Sequence, residues 1–230
     1  MRLRFGAITR SLHGIIRRMG MHDSPIHVMK LGGSLLDLPD LAQRFARFVE
    51  SWRSPVVVIV GGGQTADVVR HYDAVHKLDE ETSHWLALRA MQVNTHLAAA
   101  VLRRTRIVSD TIGCQAAWGA DHIALVDPLL WLQAEHKAGI VVPHCWSFTS
   151  DSIAAHIAHQ LGAACLTLLK STVPNAPCAV ACAARLGVVD EALTQTSQGL
   201  EQIELVDLRA NPPRRCVLQL PERARGHGLD

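Results

Sequence analysis

Residues 55–60, PVVVIV, are an unbroken run dominated by β-branched residues, and the run stops at Gly61-Gly62-Gly63. A strand apolar at every position has to be covered on both faces, which is the situation inside a parallel sheet flanked by helices. A second strand, IHVMKL at 26–31, also ends in a glycine turn, Gly32-Gly33-Ser34. Elsewhere strand and helix patterns alternate. Helical spacing marks 40–52, with Leu41, Phe45, Phe48 and Trp52 on one side and Asp40 as N-cap. It also marks the stretch after Gly63, a long helix over 80–104, residues 151–161 with Ser150 or Asp151 capping, and a helix near 190–199. Strands are expected at 106–108, 123–126, 139–142, 164–170, 203–208 and 216–220. The alternation predicts an α/β fold, a three-layer αβα sandwich around a mostly parallel central sheet.

Composition fits one such domain. The 230 residues are 48% hydrophobic and 19% charged, too apolar for a disordered chain or a coiled coil. Twenty-three Lys+Arg against 21 Asp+Glu give a net charge of +2, so a nucleic-acid partner or an anionic membrane surface is not expected. No apolar run reaches the ~18 residues of a membrane helix. Six cysteines occur without a CxxC pair, which points to free thiols in a reducing, cytoplasmic setting. The single domain is expected over 25–220. Residues 1–24, Arg-rich, read as a basic extension or as a mis-called start ahead of Met19 and Met21, and 221–230 read as a tail.

The two glycine turns carry the chemistry. In a parallel sheet both open at the carboxyl edge, where ligands bind. Glycines let backbone N–H groups approach an anion, and a helix N-terminus adds partial positive charge. One turn alone reads as a tight corner. Two turns, with Lys30 at the end of the first strand, point to phosphate. The run Gly61 to Ala66 also fits the dinucleotide pattern G-x-G-x-x-G/A, with Asp79 and Glu80 near the offset of its ribose-binding acid. That acid should end a second strand, and 67–80 has no strand-like run, so this reading ranks lower. Patterns of P-loop ATPases, zincins and α/β-hydrolases are absent from the sequence. Residues 149–152, Thr-Ser-Asp-Ser, form an N-cap cluster in which Asp151 could also orient a lysine near phosphate. His156 and His159, three apart, lack a third ligand, and no metal site built from protein side chains is expected. His84, His122 and His144 read as core or surface histidines.

With those residues in place, the chain resembles the amino acid kinase superfamily. VMKLGGS at 28–34, VVVIVGGGQTADVVR at 56–70 and FTSDSIAAHIAHQLGAACLTLLKS at 148–171 match its pieces in order. SHWLALRAMQ at 83–92 is similar to an aspartokinase-like branch that includes the kinase of methanofuran biosynthesis. The resemblance implies an ATP-dependent small-molecule kinase using Mg²⁺ and acting on a small phosphate or acid acceptor. Its branch implies a phosphorylated furan amine in methanofuran-type one-carbon cofactor synthesis. By the same resemblance, Lys30, Asp151 and Lys170 are catalytic, while Gly32, Gly33, Ser34, Lys170 and Ser171 bind ATP phosphates. Gly61, Gly62, Gly63, His84, Trp85, Thr149 and Ser150 face the acceptor. Such folds often form homo-oligomers, here through the 85–102 helix, although ordinary core packing explains that helix equally well.

The sequence departs from the family pattern in two places. Relatives carry a Thr-Asp-Val-Asp-Gly type segment where this chain reads Lys170-Ser171-Thr172-Val173-Pro174-Asn175. Relatives also bring a second lysine from further on, and no lysine follows Lys170 here, which leaves Lys170, Arg185, Arg214 or Arg215 as its replacement. These departures keep two alternatives open: a non-catalytic nucleotide- or oxyanion-binding member of the fold, and an acetylglutamate- or uridylate-type kinase.

Overall fold

A computed structural model describes residues 25–52 and 54–220. The expected extension 1–24 and tail 221–230 lie outside the described residues. Seven strands form one sheet in the order β3-β4-β2-β1-β5-β6-β7. They are β1 (His27–Leu31), β2 (Val56–Val60), β3 (Thr105–Val108), β4 (Ile123–Val126), β5 (Cys165–Lys170), β6 (Gln202–Asp207) and β7 (Arg214–Leu218). All neighbours are parallel except β6 and β7. The helices are α1 (Leu41–Val49), α2 (Gly63–His76), α3 (Glu80–Val101), α4 (Thr111–Gly119), α5 (Pro128–Lys137), α6 (Ser150–Gln160), α7 (Val180–Arg185) and α8 (Leu193–Thr196).

Every residue of β2 is buried, as its apolar run requires. The period of two sends Val57 and Ile59 into one core with α4, α5 and α6. Val56, Val58 and Val60 enter the other, with Leu41, Phe45 and Phe48 of α1. Two cores on opposite faces make the three layers. The central position of β1 matters most for function. Leu31 is in register with Val60 of β2 and with Leu169 of β5, so three strands end at one level of the carboxyl edge.

Several expectations change. Residues 139–142 are not a strand. The chain leaves α5 through Gly139 at φ +80, Val141 is 62% exposed, and Pro143 has no N–H to give a ladder. Helices α4 and α5 were not expected, although Asp110 and Asp127 cap them through Gly113 N–H and Leu130 N–H, with Pro128 opening α5. The helix near 190–199 shrinks to the four residues of α8. Neither Ser150 nor Asp151 caps α6; Thr149 is the N-cap, and its own side chain does not cap. Asp40 precedes α1, but its carboxylate pairs with Arg44.

Candidate active site

The two glycine turns pack backbone against backbone. Gly32 N–H donates to Leu169 O at 2.8 Å and Gly61 N–H donates to Leu31 O at 2.8 Å, so each turn continues a ladder of the sheet. A Cβ on Gly33 would lie 2.6 Å from Gly61 O and from Gly63 Cα. Gly63 has φ +46, and a Cβ there would lie 2.6 Å from the Gly33 carbonyl carbon. These glycines are required because no side chain fits between the turns. Gly33→Ala should therefore lower unfolding stability by about 3 kcal/mol, the upper range for overpacking, and a denaturant midpoint close to wild type would contradict this packing.

Between the turns sits a buried ion triplet. Lys30 Nζ lies 3.0 Å from Asp151 Oδ1, and Lys170 Nζ lies 2.7 Å from Asp151 Oδ2. Side-chain exposures of 7%, 14% and 5% for Lys30, Lys170 and Asp151 show how little water reaches the group. Lys30 is the penultimate residue of β1, Lys170 ends β5, and Asp151 lies in the first turn of α6, so the sheet edge and one helix start bring them together. Burial alone would raise the Asp151 pKa. The charges of Lys170 and Lys30, with their hydrogen bonds, outweigh it and hold the carboxyl well below the usual range. Burial pushes Lys170 down to about 8 against the attraction of Asp151, and the charge of Lys30 pushes the same way. One carboxylate between two ammonium ions leaves an excess positive charge beside backbone N–H groups and the α6 N-terminus. That is a surface for anionic oxygens.

Two supporting residues escaped sequence reasoning. Asn94 on α3, 3% exposed, donates through Nδ2 to Gly61 O (2.8 Å) and Gly62 O (2.7 Å). Its Oδ1 accepts from Thr65 Oγ1 at 2.9 Å, which fixes the amide orientation and pins the second turn. Asp190, after α7, accepts from Thr149 N–H (3.1 Å), Thr149 Oγ1 (2.8 Å) and Ser152 N–H (3.0 Å), supplying the cap that α6 lacks locally. Both act across long sequence separations.

A cleft of about 110 Å³ opens beside the second turn, lined in part by Gly62, Gly63, His84, Trp146, Thr149 and Ser150. Burial, and then the charge of His144, push the His84 pKa down to about 4, so its ring is neutral at pH 7. The His84 ring stacks on His144 with centroids 4.4 Å apart, and its Nε2 has no hydrogen-bond partner among the described residues. Trp85 does not line the cleft. It meets His136 and His144 edge-on, at 5.8 and 5.3 Å, and packs against the core. Thr149 lines the cleft with its hydroxyl proton already given to Asp190. On the other side of the triplet, Ser34 Oγ donates to Ser171 Oγ at 3.3 Å, which joins the first turn to the end of β5.

The remaining candidates lie elsewhere. Arg214 pairs with Asp207 at 2.8 Å and Arg215 with Glu204 at 3.0 Å, both on the β6–β7 ribbon, and Arg185 ends α7. Of these four candidates for the second lysine's place, Lys170 is the one paired with Asp151. Asp79 caps α3 and ends no strand, which removes the dinucleotide reading. His156 meets Glu135 at 2.7 Å and His159 meets Thr196 O at 2.7 Å. Among the described residues, no group of three His, Cys, Asp or Glu could hold a metal ion.

A mostly parallel α/β sheet with paired glycine turns around a lysine–carboxylate–lysine triplet is an arrangement suited to anionic oxygens. Residues 25–173 match the model of the amino acid kinase family, and the chain belongs to that family. It is 26% identical over 151 residues to the 5-(aminomethyl)furan-3-ylmethyl phosphate kinase of Methanocaldococcus jannaschii, across 59% of this chain. The chain spans about 61% of that relative's length. Its fold is similar to UMP kinase from Ureaplasma parvum, with TM-score 0.61 and 13% identity, covering 85% of this chain and 99% of that one. UMP kinase from Bacillus anthracis gives TM-score 0.59 and 12% identity, covering 86% and 97%.

Proposed function

We propose that this chain is an ATP-dependent phosphotransferase that moves the γ-phosphoryl group to an oxygen of a small anionic acceptor. The observation that carries this reading is the Lys30–Asp151–Lys170 triplet set between two glycine turns. Gly32, Gly33, Ser34, Lys170 and Ser171 bind the ATP phosphates. Gly61, Gly62, Gly63 and Ser150 hold the acceptor against the α6 N-terminus, and His84 lies further along the same cleft. Lys30 and Lys170 neutralise the oxygens of the transferring group, and Asp151 fixes both lysines. Phosphoryl transfer needs positioning and charge stabilisation more than covalent help.

The acceptor we infer is a phosphorylated furan amine of methanofuran-type cofactor synthesis, as the name of the M. jannaschii relative suggests. One of its phosphate oxygens attacks the γ-phosphorus, the bond to the β–γ bridging oxygen breaks, and ADP leaves. The attacking oxygen is already ionised, so no general base is needed. Both oxygens of Asp151 are taken up by lysines, so the protein offers Mg²⁺ no side-chain cage here. The ion fits as a partner of the ATP oxygens, where it supplies further charge neutralisation.

The missing acidic residues after Lys170 favour a second reading, a nucleotide-binding member without turnover. ADP release with ATP, Mg²⁺ and the furan phosphate separates the two. We place the protein in the cytoplasm; among the described residues, no helix is long and apolar enough to cross a membrane. Homo-oligomer formation through α3 belongs to the same reading, since Leu86, Val93, Leu97 and Val101 are exposed there; a monomeric mass by light scattering removes it.

The alkaline limb of the rate profile should report Lys170. Its ammonium is the active form and its pKa is about 8, so kcat/KM falls as pH rises through about 8. In Lys170→Arg, which stays charged, that limb should move beyond pH 10 even if the rate is lower. A limb unmoved by the substitution would assign it to another group.

A further inference from the structure

Asp190 is tied to the triplet from three directions. Its carboxylate accepts from Thr149 and Ser152 N–H groups at the start of α6, and from Leu193 N–H at 3.0 Å at the start of α8. It also accepts from the Thr149 and Ser152 hydroxyls. Its own backbone N–H donates to Asp151 Oδ2 at 3.3 Å, the oxygen that Lys170 grips. One residue therefore holds the helix turn carrying Asp151, touches Asp151 directly, and puts a second negative charge near Lys170. Such a concentration of bonds exceeds what capping the four-residue α8 requires.

We propose that Asp190 is the positioning residue of the phosphate site: it fixes the first turn of α6 and holds Asp151 against Lys170. The catalytic importance rests on the phosphotransfer reading, whereas the electrostatic link to Lys170 does not. The charged groups facing Lys170 are Asp151 on α6, Lys30 on β1 and Asp190. Asp151 and Asp190 favour its ammonium form, and Lys30 and burial oppose it.

The sign of the response separates this role from a merely structural one. If Asp190 served only the helix ends and left the Asp151–Lys170 pair untouched, its loss would admit water to Lys170 and raise the lysine's pKa toward its ordinary value. If its charge supports the ammonium, Asp190→Asn lowers that pKa, because the amide keeps the shape and loses the charge. The chain has four lysines, Lys30, Lys77, Lys137 and Lys170, so isotope-labelled lysine side chains give a spectrum simple enough to assign with Lys170→Arg. An NMR titration of the full chain then reads Lys170 without any turnover.

Wild type should titrate near pH 8, and Asp190→Asn lower by on the order of half a pH unit. Asp190→Glu, which restores the charge, should return the midpoint toward wild type. An unchanged or raised midpoint in a folded Asp190→Asn protein overturns the proposal. If that variant does not fold, Asp190→Glu decides: a midpoint kept near 8 supports the role, and one displaced toward a free lysine overturns it. ADP release assayed on the same proteins reports separately on phosphotransfer, so a silent assay with the expected titration shift would reject the activity and leave the electrostatic role standing.

Discussion

Asp151→Asn is expected to destabilise the protein by about 3–5 kcal/mol and to abolish turnover. The substitution keeps the shape of the side chain and removes the one charge shared by two buried ammonium ions. Lys30 and Lys170 would then face each other with side-chain exposures of only 7% and 14%. Taking one partner from a buried pair costs more than the pair itself contributes, because the other charge stays desolvated and uncompensated. The damage should depend on pH with a definite sign. Lys170 already has a pKa of about 8, lowered from its ordinary value, and without Asp151 it falls further. Above that pKa the variant sheds the proton and escapes the repulsion. The stability difference from wild type should therefore be largest at pH 6 and smaller at pH 9, read from denaturant midpoints at both. A variant as stable as wild type at pH 6 would show that the triplet does not hold the site together.

Lys30→Ala is expected to lower kcat by at least ~10²-fold with the fold retained. Lys30 reaches the site from the central strand, where its backbone is fixed by parallel neighbours on both sides. Truncation leaves Asp151 paired with Lys170, so no carboxylate is left bare and stability should change far less than in Asp151→Asn. The loss appears in the rate because charge on the transferring group is greatest in the transition state. Wild-type turnover in the variant would remove Lys30 from the chemistry.

The parts of this site that were legible in the sequence are the local ones. A run of β-branched residues ending in glycine states its own burial and its own turn, and both glycine turns lie where the pattern puts them. Lys30 was readable beside the first glycine turn, and Asp151 within the Thr-Ser-Asp-Ser cluster that opens α6. What the sequence hid is what only tertiary contact creates. Asp190 caps a helix that begins 40 residues earlier, and Asn94 holds carbonyls 33 and 32 residues away. The resemblance of 83–92 names His84 and Trp85 together, but neighbours on a helix are turned about 100° apart: His84 lines the cleft, and Trp85 packs against the core. The stretch 139–142 has strand composition but pairs with no strand: β4, just before α5, already has β2 and β3 as neighbours, and Gly139 at φ +80 turns the chain away. Helices α4 and α5 were missed because they are apolar enough to blur the helical period, leaving only their aspartate caps and Pro128 as signals.

The proposed role of this triplet is phosphoryl transfer. Its most direct measurement is acceptor-dependent ADP release with ATP and Mg²⁺, run with 5-(aminomethyl)furan-3-ylmethyl phosphate, the compound in the M. jannaschii relative's name, and with phosphorus NMR to see the product. The expected result is ADP formed with that acceptor, a new diphosphate signal, and loss of both in Lys30→Ala. No ADP from wild type, together with no calorimetric binding of ATP in the presence of the acceptor, would contradict the claim.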